Sequence, residues 1–180
     1  NTLELQPNFN TYAENPTDAF WVDQATMEGN KWMEAATFVE PGPTFNNAGL
    51  TFSGDIYAHT IDTAQYTVEV FIKALDSTNG YQDALGGSKV MELPMTGDFE
   101  ISASGAELPA GLIIQYGFTV RGRNANPADQ AALGSVIVGT SSLKVNDIKN
   151  VEAKVYPNPV NDKLMIQTAS EMIAYSVSNL

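Results

Sequence analysis

His59 is the only histidine in the chain, and there is no cysteine. A Ser-His-Asp triad would have to use that histidine, yet no Gly-x-Ser-x-Gly turn presents a serine. A zinc site built on imidazole or thiolate needs more such ligands than one. Disulfides and thiolate nucleophiles are excluded outright. Carboxylates are numerous, 21 in all. No Glu-x-Asp-x-x-Glu arrangement lines one strand, so paired-carboxylate glycoside hydrolysis finds no local motif. Gly86-Gly87-Ser88-Lys89 lacks the glycine spacing and the following helix of a phosphate loop. Asp76, Asn79 and Asp83 cluster in one loop. Their oxygens would suit a structural calcium, although the spacing is not that of an EF-hand and turns use the same residue types.

The remaining polar residues are suited to binding. Leu112–Asn126 separates with period two. Ile114, Tyr116, Phe118 and Val120 point one way; Gln115, Gly117, Thr119, Arg121 and Arg123 point the other. In Tyr66–Leu75, Tyr66, Val68, Val70 and Ile72 face inward, and Thr67, Glu69, Phe71 and Lys73 face outward. In Gly49–Ile61, Leu50, Phe52, Gly54, Ile56 and Ala58 oppose Thr51, Ser53, Asp55, Tyr57 and His59. If these three strands share one sheet, its open face unites Tyr57, His59, Phe71, Lys73, Gln115, Arg121 and Arg123 with Glu69 and Thr119. Such mixtures recognise sugars: rings stack on the apolar face of a pyranose, while Gln, Arg, Lys and Glu bond its hydroxyls. Trp21 and Trp32 lie in the less regular N-terminal part and offer loop platforms, with core burial as the alternative.

Those strands need partners. Asn1–Asn10 alternates weakly and suits an edge strand. Ala19–Gln24 and Lys31–Val39 are expected strands around Glu28-Gly29-Asn30. Lys89–Leu93, Phe99–Ala103 and Ser135–Gly139 are further short strands. Asn126-Pro127 starts a helix of one or two turns that Gly134 stops. No amphipathic helix of ordinary length is visible. Many short strands punctuated by turn residues indicate an all-β fold: a two-sheet antiparallel β-sandwich, jelly-roll or immunoglobulin-like, with a short C-terminal β-hairpin segment.

An apolar fraction of 43% supports a real core. Residues 1–143 hold 17 acidic and 5 basic side chains, a net of −12; residues 144–180 hold four of each. So acidic a domain is repelled by nucleic acid and by anionic lipid. No apolar run reaches the roughly 18 residues of a membrane span. The abrupt start and stop of the chain suit a piece of a longer precursor.

The organisation reads as a sandwich over residues 1–143, a linker over 144–153 and a distinct segment over 154–180. That last segment, VYPNPVNDKLMI followed by Ile173–Leu180, resembles the start of the C-terminal sorting domain of type IX secretion. The elements that match are Tyr156-Pro157-Asn158-Pro159, a short strand Lys163–Ile166 and a strand Tyr175–Leu180, with Asn161-Asp162 as the hairpin turn. The resemblance implies delivery to the cell surface or medium by that machinery. GLTFSGDIYA, YTVEVFIKALD and IIQYGFTVRGRNANPAD…LGSVIV resemble the non-catalytic β-sandwich modules attached to secreted polysaccharide-degrading enzymes. That resemblance implies glycan binding without hydrolysis, a tethered catalytic domain, and a β-glucan such as laminarin as ligand. The alternative is a structural or adhesive surface domain with no sugar site.

Overall fold

The structure is a computed structural model that describes residues 1–140 and the strand residues 154–156 and 165–167. The chain divides into two compact units, Asn1–Ser142 and Leu143–Leu180.

The first unit is a two-sheet antiparallel β-sandwich. One sheet has four strands: β1 (Thr2–Leu5), β3 (Leu50–His59), β7 (Gly97–Ala103) and β9 (Val136–Gly139), in the order β1-β9-β3-β7. The other holds β2 (Trp32–Val39), β4 (Thr67–Asp76), β5 (Gln82–Asp83) and β8 (Ile113–Arg123), in the order β2-β8-β4-β5, with β6 (Val90–Glu92) also paired to β4. Two short helices complete it: α1 (Asn10–Glu14), which the sequence did not announce, and α2 (Gln130–Leu133). The Asn126 side chain accepts from the Ala128 amide, Pro127 opens the turn, and Gly134 ends α2 at φ 71°. No helix of the described residues is long and apolar enough to cross a membrane.

The period-two pattern of β4 and β8 decides which side chains meet between the sheets. Val68, Val70 and Ile72 of β4 pack with Ile114, Phe118 and Val120 of β8. Val70 and Ile72 are fully buried, each stabilising the fold by roughly 1.5–3 kcal/mol. Aromatic rings span the gap. Phe52 of β3 lies 5.0 Å from Tyr116 and 5.2 Å from Phe118, and Phe99 of β7 lies 5.4 Å from Phe118. Gly122 leaves room for the Tyr66 ring, because a Cβ there would stand 2.2 Å from a ring carbon. The Tyr66 hydroxyl then donates to the Arg123 carbonyl at 3.0 Å.

One expectation changes at the N-terminal end. Ala19–Gln24 is no strand; Val22 makes only an isolated bridge with Gly29. The segment before β2 is instead a loop fastened by one buried amide. Asn124 is 1% exposed; its Oδ1 accepts from the Lys31 amide at 3.0 Å and its Nδ2 donates to the Trp21 carbonyl at 3.0 Å.

In the second unit, β10 (Lys154–Tyr156) pairs antiparallel with β11 (Met165–Gln167). The strand expected at Lys163–Ile166 coincides with β11 at Met165 and Ile166, and Lys163 and Leu164 lie outside the described residues. The expected linker, the Asn161-Asp162 turn and the Tyr175–Leu180 strand lie outside the described residues.

Replacing Asn124 with Leu keeps the branched shape but takes the acceptor from the Lys31 amide, while the Trp21 carbonyl keeps the Asn30 amide. Urea titration should show a loss of roughly 1–3 kcal/mol. Thr51→Ala, on an exposed face, should change stability by less than about 0.5 kcal/mol.

Candidate functional site

The outer face of the five-stranded sheet carries the polar set expected of it on β4 and β8. Three cross-strand rows order it. Glu34 pairs with Arg121 and Arg121 with Thr67; Ala36 with Thr119 and Thr119 with Glu69; Phe38 with Gly117 and Gly117 with Phe71. Partners directly opposite in an antiparallel pair share a face, so these side chains project together. Strand β2 adds its own alternation, Trp32 and Glu34 outward, Met33 and Ala35 inward.

An ion-pair network ties this face together. Arg121 places Nη2 at 3.2 Å from Glu34 Oε2 and Nε at 3.1 Å from Glu69 Oε2. Lys73 Nζ lies 3.2 Å from Glu34 Oε1. The Thr119 hydroxyl donates to Glu69 Oε2 at 3.4 Å, and Gln115 Nε2 donates to Glu40 Oε2 at 3.0 Å. Trp32, Met33, Glu34, Thr67, Glu69 and Arg121 line a shallow groove of about 430 Å³. At its rim Trp32 is 72% exposed. An uncovered indole beside fixed donors and acceptors suits a flat, hydroxylated ligand.

Several residues sit elsewhere than the sequence pattern implied. Strand β3 belongs to the other sheet, so Tyr57 and His59 do not join this face. They also part from each other. A bulge between Ile56 and Ala58 shifts the register against β9, and His59 comes opposite Val136, which is fully buried. One extra residue turns every later side chain to the opposite face. Burial accordingly holds the His59 imidazole below the usual histidine value, and its Nδ1 has no hydrogen-bond partner. Tyr57 stays exposed, with its hydroxyl donating to the Thr140 carbonyl at 3.1 Å.

Phe71 does lie on the outer face, but it is only 2% exposed. Lys73 runs back across it on the way to Glu34, with the ammonium 4.6 Å from the ring centroid. Stacking on a sugar is therefore not open to this ring as it stands. Trp21 is half-buried, edge-on to Phe20 at 4.9 Å, and is not part of the groove. Trp32 is on a strand rather than in a loop. Glu34, the centre of the network, was not among the expected site residues. Its signal was present in the alternation Trp32-Met33-Glu34-Ala35; what was lacking was the pairing of that strand with β8.

The loop expected to suit calcium is occupied by its own turns. Asp83 Oδ1 accepts from the amides of Ala74 and Leu85, and its Oδ2 from the amide of Gly87. Asp76 Oδ1 accepts from the amide and hydroxyl of Thr78, and Asn79 donates to Gln82. Among the described residues no group of three or more His, Asp or Glu side chains converges on a metal-sized space.

No family model, curated protein or solved structure matches this chain.

The two kinds of residue on this face separate by mutation. Phe71→Ala should cost about 3 kcal/mol or more in denaturant unfolding, since it empties a buried site. Arg121→Ala removes partly exposed pairs and should cost less than about 1 kcal/mol, shrinking further as salt is raised.

Proposed function

We propose that the first unit is a non-catalytic carbohydrate-binding module that holds a polysaccharide in the groove of the five-stranded sheet. The observation that carries this reading is Trp32, exposed at the rim of a groove whose other polar groups are already fixed by one another. A pyranose has an apolar face and a ring of hydroxyls. The indole takes the first by stacking. Arg121, Glu34 and Glu69 take the second; because their positions are set before the ligand arrives, less side-chain freedom is lost on binding. The groove contains no histidine, and both its carboxylates hold Arg121, which favours binding over acid–base chemistry.

The sequence resemblances extend the proposal. Secretion by the type IX route would carry the protein to the cell surface or medium, with the segment after residue 153 as the sorting signal. Tethering to a polysaccharide-degrading enzyme would raise the local concentration of substrate at that enzyme. A β-glucan such as laminarin is the ligand to test first. A structural or adhesive domain is the second reading. It is favoured by the same ion pairs, since Arg121 and Lys73 both already have carboxylate partners.

Affinity electrophoresis across soluble polysaccharides, followed by calorimetry, tests the module. At least one glycan should bind, and Trp32→Ala should weaken it by about 1–3 kcal/mol with an unchanged melting curve. Failure of every glycan to bind would favour the structural domain. Export has its own test. Removing residues 154–180 leaves all nine strands of the sandwich in place, the last ending at Gly139. The truncated full-length protein should fold yet remain inside the native host; normal secretion would defeat the sorting reading.

A further inference from the structure

Beyond the groove, a second and larger cleft of about 720 Å³ opens at the end of the sandwich. Arg123, the last residue of β8, lines it together with Gln65, Tyr66 and the loop Thr26–Gly29. Arg123 differs from the other cations of the unit. Residues 1–140 contain five: Lys31, Lys73, Lys89, Arg121 and Arg123. Lys73, Lys89 and Arg121 each meet a carboxylate, at 3.2, 2.9 and 3.1 Å. Lys31 lies 3.7 Å above the Phe20 ring. Arg123 forms no ion pair with any described residue. Its guanidinium makes one long hydrogen bond, 3.4 Å from Nη1 to the Gly29 carbonyl.

That isolation needs a cause. In a unit with 17 carboxylates, a cation serving only to balance charge would be expected beside one of them. Glu28 and Asp129 line the same cleft, yet neither forms an ion pair with Arg123. The single bond to Gly29 steadies the side chain and leaves most of its five N–H donors without partners among the described residues. Those donors form a planar fork that matches the two oxygens of a carboxylate or of a sulfate ester. Trp32 is the cross-strand partner of Arg123. Cβ atoms in that relation stand roughly 5 Å apart, so a substituent on a sugar stacked over the indole comes within reach of the guanidinium.

We infer that Arg123 reads a negatively charged substituent, a carboxylate or a sulfate ester, on a sugar seated against Trp32. The ligand class is therefore an anionic polysaccharide. This rests on the glycan-binding reading above and deepens it: a neutral glucan would use the groove and leave Arg123 without a partner. The net charge works in favour of a clear answer. A unit at −12 repels polyanions in general, so tight binding of one has to come from a specific contact.

The test is calorimetry of the whole chain with a neutral β-glucan, a polyuronate and a sulfated polysaccharide, repeated for Arg123→Gln and Arg123→Lys, with melting curves for all. One anionic glycan should bind more tightly than the neutral one. Arg123→Gln should weaken that binding about tenfold or more, while changing any neutral binding by less than about twofold. Arg123→Lys, which keeps the charge and loses the fork, should fall between. Preference for the polyuronate assigns the carboxylate, and preference for the sulfated chain assigns the sulfate ester. Equal or tighter binding of the neutral glucan, or anionic affinity unmoved by Arg123→Gln, overturns the inference and leaves the groove reading standing if Trp32→Ala still weakens binding. Absence of binding to all three overturns both.

Discussion

The polar face depends on a side chain that is not part of it. Asn124 stands just past the end of β8, almost wholly buried, and bonds the loop that precedes β2 at two points. Its own amide donates to the Lys31 carbonyl at 2.9 Å, so Lys31 and Asn124 begin the ladder that continues as Trp32 opposite Arg123. A buried amide without partners is costly, and this arrangement of the loop satisfies both of its groups. The register of β2 against β8 follows, and with it the row that brings Glu34 beside Arg121. Gly29 belongs to the same constraint. A Cβ there would stand 1.6 Å from the Asn124 carbonyl oxygen, so the loop closes this tightly only with glycine.

Behind the face, the aromatic rings of Phe52, Phe99, Tyr116 and Phe118 occupy the space between the sheets. They set a rigid floor under β8, where inward Phe118 and Val120 alternate with outward Thr119 and Arg121. In front, the charges satisfy one another. Glu34 and Glu69 each have a cationic partner, and the Lys73 ammonium lies over the Phe71 ring. The result is a set of fixed polar groups with Trp32 the most exposed aromatic ring and Phe38 the next along β2. A surface organised in this way has little freedom to lose when a ligand settles on it.

The face could be read in part from the chain because β4 and β8 obey period two from end to end. Glu69, Lys73, Gln115 and Arg121 are where that period puts them. It misled at three points, each for a physical reason. Strand β3 has the same alternation but pairs with β7 and β9, because alternation says which side of a strand is apolar and nothing about which strand lies next to it. His59 turned inward because a bulge at Tyr57 changed the parity of the residues after it. Phe71 looked exposed between two charged neighbours, yet it is 2% exposed and the ammonium of one of them lies over its ring. Long charged side chains often cover apolar surface in this manner, and only the geometry says which surface.

What the sequence determined by itself is therefore local: the strands, their inner and outer faces, the Asn126-Pro127 helix start, the all-β class and the excess of negative charge. These follow from the backbone period, from turn chemistry and from composition, none of which needs a distant partner. The tertiary structure decided the rest: the sheet to which each strand belongs, the place of Glu34 at the centre of the network, the burial of Phe71 and the position of Arg123 apart from every described carboxylate. Each depends on contacts between residues dozens of positions apart. Their pairing is selected by the packing of the whole sandwich and by buried groups such as Asn124, whose partners are not written in any neighbouring residue.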